Sequence, residues 1–216
     1  MLVLPARNEA PRIAAVIARS PVPVLVVDDG STDGTGDVAR AAGAEVVRTE
    51  GLGLGAAVRI GLREAVARGA AVVAFCDADG EYDPAAIGDL IAPIMGGDAD
   101  YVVGSRFAGD IRSMRPHRRF GNRVLTRALR LLSRLPITDG QSGYRALSRE
   151  AAIAAEIGHD FNYAQVLTLE LQRKGFRYAE VPITYSFRES GDSFVKLLPY
   201  LRTVAPAVWR ELRTAP

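Results

Sequence analysis

The chain is poor in several things that usually announce a class. It has one cysteine, Cys76, in 216 residues, so no disulfide can form within it. Cys76 ends the apolar run Ala71–Cys76, where it is expected to pack as a small buried side chain rather than react. That absence of disulfides points to a reducing compartment. No apolar run reaches the ~18 residues of a membrane span. The opening Met1-Leu2-Val3-Leu4 lacks a charged region before it, and Pro5 ends the run, so no signal peptide is expected. Histidines are scarce and isolated: His117 and His159 read as structural or solvated. Linkers, internal repeats and low-complexity stretches are missing too, so residues 1–216 are expected to form a single domain.

What is present is an ordinary globular composition, 48% hydrophobic and 24% charged, with a net charge of only +2. Short apolar runs alternate with helical patterns in the first half. Strands are expected at Leu2–Leu4, Val24–Asp28, Glu45–Arg48, Ala70–Cys76 and Asp100–Gly104. Helices are expected at Pro11–Arg19, Gly34–Ala42, Gly55–Arg68 and Pro84–Met95. Such alternation implies βαβ crossovers and a mainly parallel sheet flanked by helices, in the manner of a Rossmann-like α/β fold. The second half adds helices at Arg119–Leu135 and Tyr163–Lys174, strands at Gly143–Leu147 and Tyr178–Phe187, and a C-terminal helical tail over Phe194–Arg213.

Parallel sheets bind ligands beyond the carboxyl ends of their strands. Four polar clusters occupy that position: Pro5–Glu9, Asp28–Asp33, Asp77–Asp83 and Ser105–Phe107. In Asp77-Ala78-Asp79-Gly80-Glu81 three carboxylates alternate, and an extended chain would aim all three at one space. They would repel one another unless a cation lay between them. Mg²⁺ or Mn²⁺ held by Asp79 and Glu81 together with substrate phosphates is the expectation, with Asp77 nearer a nucleoside. Asp83 is expected to cap the helix that follows. Turn chemistry accounts for Gly30, Ser31, Asp33 and Gly34 but poorly for the doubled Asp28-Asp29, which suits a base or ribose. Glu9 could bind a ribose diol or simply favour the start of the next helix. The glycines of Gly51-Leu52-Gly53-Leu54-Gly55 lack dinucleotide-fingerprint spacing and read as a tight turn that brings the next helix close to the sheet.

No acidic residue falls between Asp110 and Asp139, an interval holding eight arginines. Arg119, Arg123, Arg127, Arg130 and Arg134 form one helical stripe, with Leu125, Ala128, Leu129, Leu132 and Leu135 opposite. The two readings are a solvated helix packing its leucines on the sheet and a basic amphipathic helix at an anionic lipid surface. Nucleic acid is not expected, because the stripe lacks interleaved aromatics.

Taken in order, Leu4-Pro5-Ala6-Arg7-Asn8-Glu9, Val27-Asp28-Asp29-Gly30-Ser31-Thr32-Asp33-Gly34-Thr35, Asp77-Ala78-Asp79, Gly104-Ser105-Arg106-Phe107, Asp139-Gly140-Gln141-Ser142-Gly143-Tyr144-Arg145 and Glu180-Val181-Pro182-Ile183 resemble family 2 glycosyltransferases. Within them the dolichol-phosphate mannosyltransferase-like branch is the nearest match, and Arg188 and Gly191 continue it. The resemblance implies a GT-A fold, with 1–107 binding a nucleotide-sugar, 108–193 facing the acceptor and 194–216 as the tail. It implies that Pro5, Ala6, Arg7, Glu9, Asp28, Asp29, Asp77 and Ala78 surround the nucleotide and that Asp79 and Glu81 bind Mg²⁺ or Mn²⁺. Arg106, Arg119, Ser142 and Arg188 would meet phosphates or the acceptor, and transfer would invert the anomeric carbon. Where relatives place a lysine after Gly191-Asp192-Ser193, this chain has Phe194.

Polyprenyl phosphate is the expected acceptor, since its oxygen is already anionic and needs no strong base. A soluble hydroxyl acceptor would need one, and Asp139 is then the candidate. A nucleotidyltransferase is disfavoured because Leu4–Glu9 contains no glycine, and a non-catalytic sugar-nucleotide or lipid-binding module because the Asp77/Asp79 pair is intact. The protein is expected in the cytoplasm, with peripheral contact to the inner membrane face as a further possibility; nothing in the sequence identifies an oligomeric state.

Overall fold

A computed structural model describes residues 1–158 and 163–186. Its strands are β1 (Leu2–Ala6), β2 (Val24–Asp29), β3 (Glu45–Thr49), β4 (Val72–Phe75), β5 (Tyr101–Ser113), β6 (Arg145–Ser148) and β7 (Tyr178–Ser186). The helices are α1 (Ala10–Ala18), α2 (Thr35–Ala41), α3 (Leu54–Ala67), α4 (Ile87–Met95), α5 (Pro116–Ser133), α6 (Arg149–Ala154) and α7 (Tyr163–Arg173). The strands form one seven-stranded sheet in the order β3-β2-β1-β4-β6-β5-β7. Among them only β6 runs antiparallel, to both β4 and β5.

Alternation along the strands builds two cores. Leu2, Leu4 and Val26 point to one face, where Ile13, Val16 and Leu90 of α1 and α4 cover them. Val3, Leu25, Val27 and Phe75 point to the other, against Leu62, Leu167 and Leu171 of α3 and α7. With both faces covered, the strands read as continuous apolar runs. Gly61 lets α3 approach closely, since a Cβ there would lie 2.3 Å from Val3.

The chain winds outward from β1 to β3 and then returns to β4 on the other side of β1. That reversal leaves a crevice between the ends of β1 and β4, the usual ligand position in an open α/β sheet. The loops after β1 and β4, Arg7–Glu9 and Asp77–Asp83, flank it.

The structure departs from expectation in four places. β5 is 13 residues long, because its polar second half pairs on with β7 through register shifts. The helix expected at Pro84–Met95 opens as a 3₁₀ turn, Pro84–Ala86, with Asp83 accepting from the Ala85 N–H as the expected cap. Short α6, capped by Ser148, was not foreseen. On α5 the apolar side meets the sheet at Tyr178 of β7, beside Leu129 and Leu135, and little of it is buried. Of the five residues expected there only Leu129 is buried, while Leu132 is exposed. The helix also lies against α7, with Gln165 donating to the Leu125 carbonyl and Gln172 to that of Ser133. The expected tail and Arg188, Gly191, Lys196 and His159 lie outside the described residues.

Candidate active site

The first loops of the crevice are braced against each other. Asn8 takes a left-handed backbone, φ 56°, which asparagine tolerates better than most residues. Its side-chain oxygen accepts from the Thr32 N–H at 2.9 Å, and its own N–H donates to the Ser31 hydroxyl at 3.0 Å. The next two amides donate to Thr35 and Asp33. Pro5 and Ala6 are buried within β1, and Arg7 is exposed. Glu9 begins α1 and pairs with Arg12 at 3.2 Å.

Both members of the aspartate doublet are buried and occupied. Asp28 accepts from the Ser31 N–H at 2.9 Å, and a Cβ on Gly36 would lie 2.6 Å from its other oxygen. Asp29 accepts from the Thr49 hydroxyl at 2.5 Å and from the Leu52 and Gly53 amides at 2.7 and 2.8 Å. Burial by itself would raise the Asp29 pKa, but those three hydrogen bonds outweigh it and hold the carboxyl below its ordinary value. Loop bracing therefore explains the doublet, which turn chemistry had seemed to leave unexplained.

The acidic segment does not stay extended past β4. Asp79 accepts from the Glu81 N–H at 3.0 Å and Gly80 adopts φ +81°, so the chain turns. Glu81 is consequently carried towards β7, where its Oε2 accepts from the Tyr185 hydroxyl at 2.6 Å. Its Oε1 lies 3.9 Å from Arg118 of α5. Among the described residues no three His, Cys, Asp or Glu side chains converge to hold a metal by themselves. The expectation that all three carboxylates share one space is thus corrected. The donor set nevertheless suits a hard cation: it is all oxygen, and Mg²⁺-type sites commonly use one or two carboxylates completed by phosphate and water. Asp79 and Oε1 of Glu81 are the groups that could hold one, completed by phosphate and water. Asp83 fixes the turn from below through a bidentate pair with Arg19, at 2.9 and 2.5 Å, which also lowers the Asp83 pKa. A cavity of 540 Å³ opens beside the turn, lined by Arg12, Arg19, Asp79, Glu81 and Arg112.

The other wall is the loop from Thr138 to Tyr144. Asp139 is 0% exposed and receives both edges of Arg106, at 2.6 and 2.8 Å. It also accepts the backbone amides of Arg106 and Gln141. Four donors fill its lone pairs. In this structure Asp139 is taken up by these four donors, and Arg106 is held in the pair and stacked 5.2 Å from the Tyr185 ring centre. Ser142 is buried, its hydroxyl accepting from the Tyr144 N–H at 3.3 Å. Arg119 is exposed on α5, as expected. The loop closes on the acidic turn: the Gly143 N–H donates to the Tyr82 hydroxyl, and a Cβ at 143 would lie 2.7 Å from Asp77 Oδ2.

Sequence reasoning passed over Asn8, Tyr82, Tyr185, Arg145 and Glu180 as parts of this site. Asn8, Tyr82, Arg145 and Glu180 stand within the clusters and motifs of the sequence but carry no role there, and Tyr185 stands in none, because the contacts with Thr32, Gly143, Ala164, Thr138 and Glu81 that define them join segments distant along the chain.

Along α5 runs a groove of 840 Å³ lined by Arg123, Arg127, Arg130, Arg134, Leu131 and Ile137. Beside it Phe120 and Leu131 are each 72% exposed. No helix among the described residues is long and apolar enough to cross a membrane.

Residues 1–154 match the family model "Glycosyl transferase family 2". The chain is 36% identical to glycosyltransferase AglJ of Haloferax volcanii, over 88% of its own length and 64% of that protein's. It is 33% identical to polyprenol monophosphomannose synthase of Mycolicibacterium smegmatis, over 89% of this chain and 79% of the relative. It is 32% identical to undecaprenyl-phosphate mannosyltransferase of Micrococcus luteus, over 89% and 86%. In fold it is similar to glucosyl-3-phosphoglycerate synthase from Mycobacterium tuberculosis, solved with Mn²⁺, UDP and glucosyl-3-phosphoglycerate, with a TM-score of 0.77 and 24% identity, covering 100% of this chain and 80% of that one. The fold is therefore the expected GT-A type, and the chain belongs to glycosyl transferase family 2.

Proposed function

We propose that this protein is a metal-dependent, inverting glycosyltransferase that moves a sugar from a GDP- or UDP-sugar to polyprenyl phosphate. The observation that carries the reading is the contact between Asp77 and the Gly143 loop, which brings the acidic turn against the wall leading to the basic groove. Pro5, Ala6, Arg7, Glu9, Asp28, Asp29, Asp77 and Ala78 form the nucleotide side, with Asp28 and Asp29 acting through the loops they brace. Asp79 and Glu81 hold Mg²⁺ or Mn²⁺. When bound, that cation supplies positive charge to the departing nucleoside diphosphate.

The acceptor phosphate is assigned to the α5 arginines, Arg119 among them, with Arg188 from the segment beyond the described residues. Their contribution is to bind the phosphate and aim its oxygen at the anomeric carbon, which is where positioning yields most of its rate advantage. An anionic phosphate needs no base, and the saturation of Asp139 supports such an acceptor over a hydroxyl. The names of the two mannosyl-transferring relatives support the same class. The exposed Phe120, Val124, Leu131 and Leu132 beside the arginines suit peripheral contact with an anionic cytoplasmic membrane face.

The test is a binding screen of UDP-, GDP- and dTDP-sugars with Mg²⁺ or Mn²⁺, followed by transfer to polyprenyl phosphate in detergent. Metal-dependent binding of one donor and transfer to the lipid are expected. Release of pyrophosphate from a nucleoside triphosphate and a sugar phosphate, or binding without any transfer, would replace this reading with a nucleotidyltransferase or a binding module.

A further inference from the structure

Among the described residues Arg145 is the largest fully buried side chain, at 0% exposure. It has no carboxylate within ion-pair distance among the described residues. Its Nε donates to the Ser142 carbonyl at 2.8 Å and its Nη2 to that of Gly140 at 3.3 Å. Its Nη1 reaches the Ala164 carbonyl at 2.7 Å, the Thr168 hydroxyl at 3.2 Å and the hydroxyl of Tyr101. Burying a charge among neutral partners is costly, and for stability alone a well-packed apolar residue generally serves as well. What the guanidinium does that an apolar residue cannot is hold two carbonyls of one loop against α7 and β5.

The same loop is held at its start by a charge of opposite sign. Glu180 of β7 accepts the Thr138 N–H at 2.9 Å, the Asp139 N–H at 3.2 Å and the Thr138 hydroxyl. A carboxylate thus takes the loop's amides and a guanidinium its carbonyls. Between those two holds the loop sets three contacts across the site: Asp139 on Arg106, Gly140 N–H on Thr126 of α5 at 3.1 Å, and Gly143 against Asp77. It touches both the acidic turn and the basic helix, which also approach each other directly where Glu81 lies 3.9 Å from Arg118.

We infer that Arg145 and Glu180 are positioning residues that fix the spacing between the donor-side acidic turn and the acceptor-side helix through the backbone of residues 138–143. Arg145 is buried and Glu180 half-buried. The inference deepens the proposed function and rests on it for the identity of the two sides. A shift of about 1 Å between reacting groups can cost on the order of 100-fold in rate.

The experiment compares the whole protein with Arg145→Lys, Glu180→Gln and Tyr101→Phe, the last removing one guanidinium partner while leaving the charge. Two readouts are taken: hydrogen exchange of the Gly140, Gln141 and Gly143 amides, and kcat and KM for donor and polyprenyl phosphate separately. Expected are faster exchange confined to that loop, a kcat lowered by about 100-fold in Arg145→Lys, a raised acceptor KM and an unchanged donor KM. A merely structural role would lower donor binding and turnover together. Unchanged exchange in all three variants, or equal losses on donor and acceptor sides, overturns the inference. Should Arg145→Lys not fold, Glu180→Gln and Tyr101→Phe decide it by the same readouts. If the wild type transfers nothing to polyprenyl phosphate, the acceptor assignment fails, while loop exchange and the donor Kd, read by direct binding, still decide the positioning.

Discussion

The two walls of the crevice are held in different ways. At the loops after β1 and β2, short polar side chains tie one loop to the backbone of another: Asn8 to Thr32, Asp33 to Ala10, Asp29 to Leu52 and Gly53. At the loop of residues 138–144, long charged side chains do the holding: Arg106 to Asp139, Arg145 to Gly140 and Ser142, Glu180 to Thr138. The first arrangement distributes the load over many small contacts. The second concentrates it in a few charges, of which Arg106, Asp139 and Arg145 are buried and expensive to leave alone. A wall built on capping should tolerate single losses, whereas one built on buried charges should fail abruptly.

Three substitutions probe that contrast. The largest effect on stability is expected from Asp139→Ala, which strands the buried Arg106 guanidinium; breaking a buried pair costs about 3–5 kcal/mol, readable as a lower urea midpoint. A loss under 1 kcal/mol would mean that the pair is not a support. Asp29→Asn comes next. It keeps the shape but weakens three accepted hydrogen bonds, for a loss of about 1–3 kcal/mol at pH 7. Because the folded Asp29 pKa lies below its ordinary 3.8, its contribution is present above that value and disappears as pH falls through the folded pKa. The gap between wild type and Asp29→Asn should therefore close on acidification below pH 3.8; a gap that widens there would reverse the sign. The smallest effect belongs to Asp37→Asn, which removes an exposed pair with Arg40 on α2 and should cost less than about 1 kcal/mol. A larger loss would show that surface pairs matter more on this wall than the comparison allows.

The same contrast explains what could be read from the sequence. Five apolar runs, punctuated by Pro and Gly, gave away the first five strands, and the polar clusters after them marked the crevice, because both signals are local. β5 beyond Phe107 was hidden, since residues such as Asp110 and Arg112 resemble a solvated turn until β7 pairs with them. Amphipathicity identified a basic side on α5 but not its neighbour; the helix rests on α7, leaving Phe120 and Leu131 outside. The alternation Asp77, Asp79, Glu81 suggested three converging carboxylates, but the turn at Gly80 sends Glu81 to Tyr185, 104 residues away in the chain. Arg106 and Asp139 are 33 residues apart. A charge at a strand end announces chemistry or structure equally well until its partner is known, and here both charges serve as partner to the other.

The central claim is that the acidic turn after β4 holds a cation together with a sugar diphosphate. Calorimetric titration of the nucleotide-sugar into the protein, with and without Mn²⁺, tests it most directly when wild type is compared with Asp79→Ala. Metal-dependent donor binding is expected in the wild type and should fall by on the order of 1000-fold in the variant, with its circular dichroism spectrum unchanged. Donor binding of equal strength in the two proteins, with the same response to metal, would contradict the account.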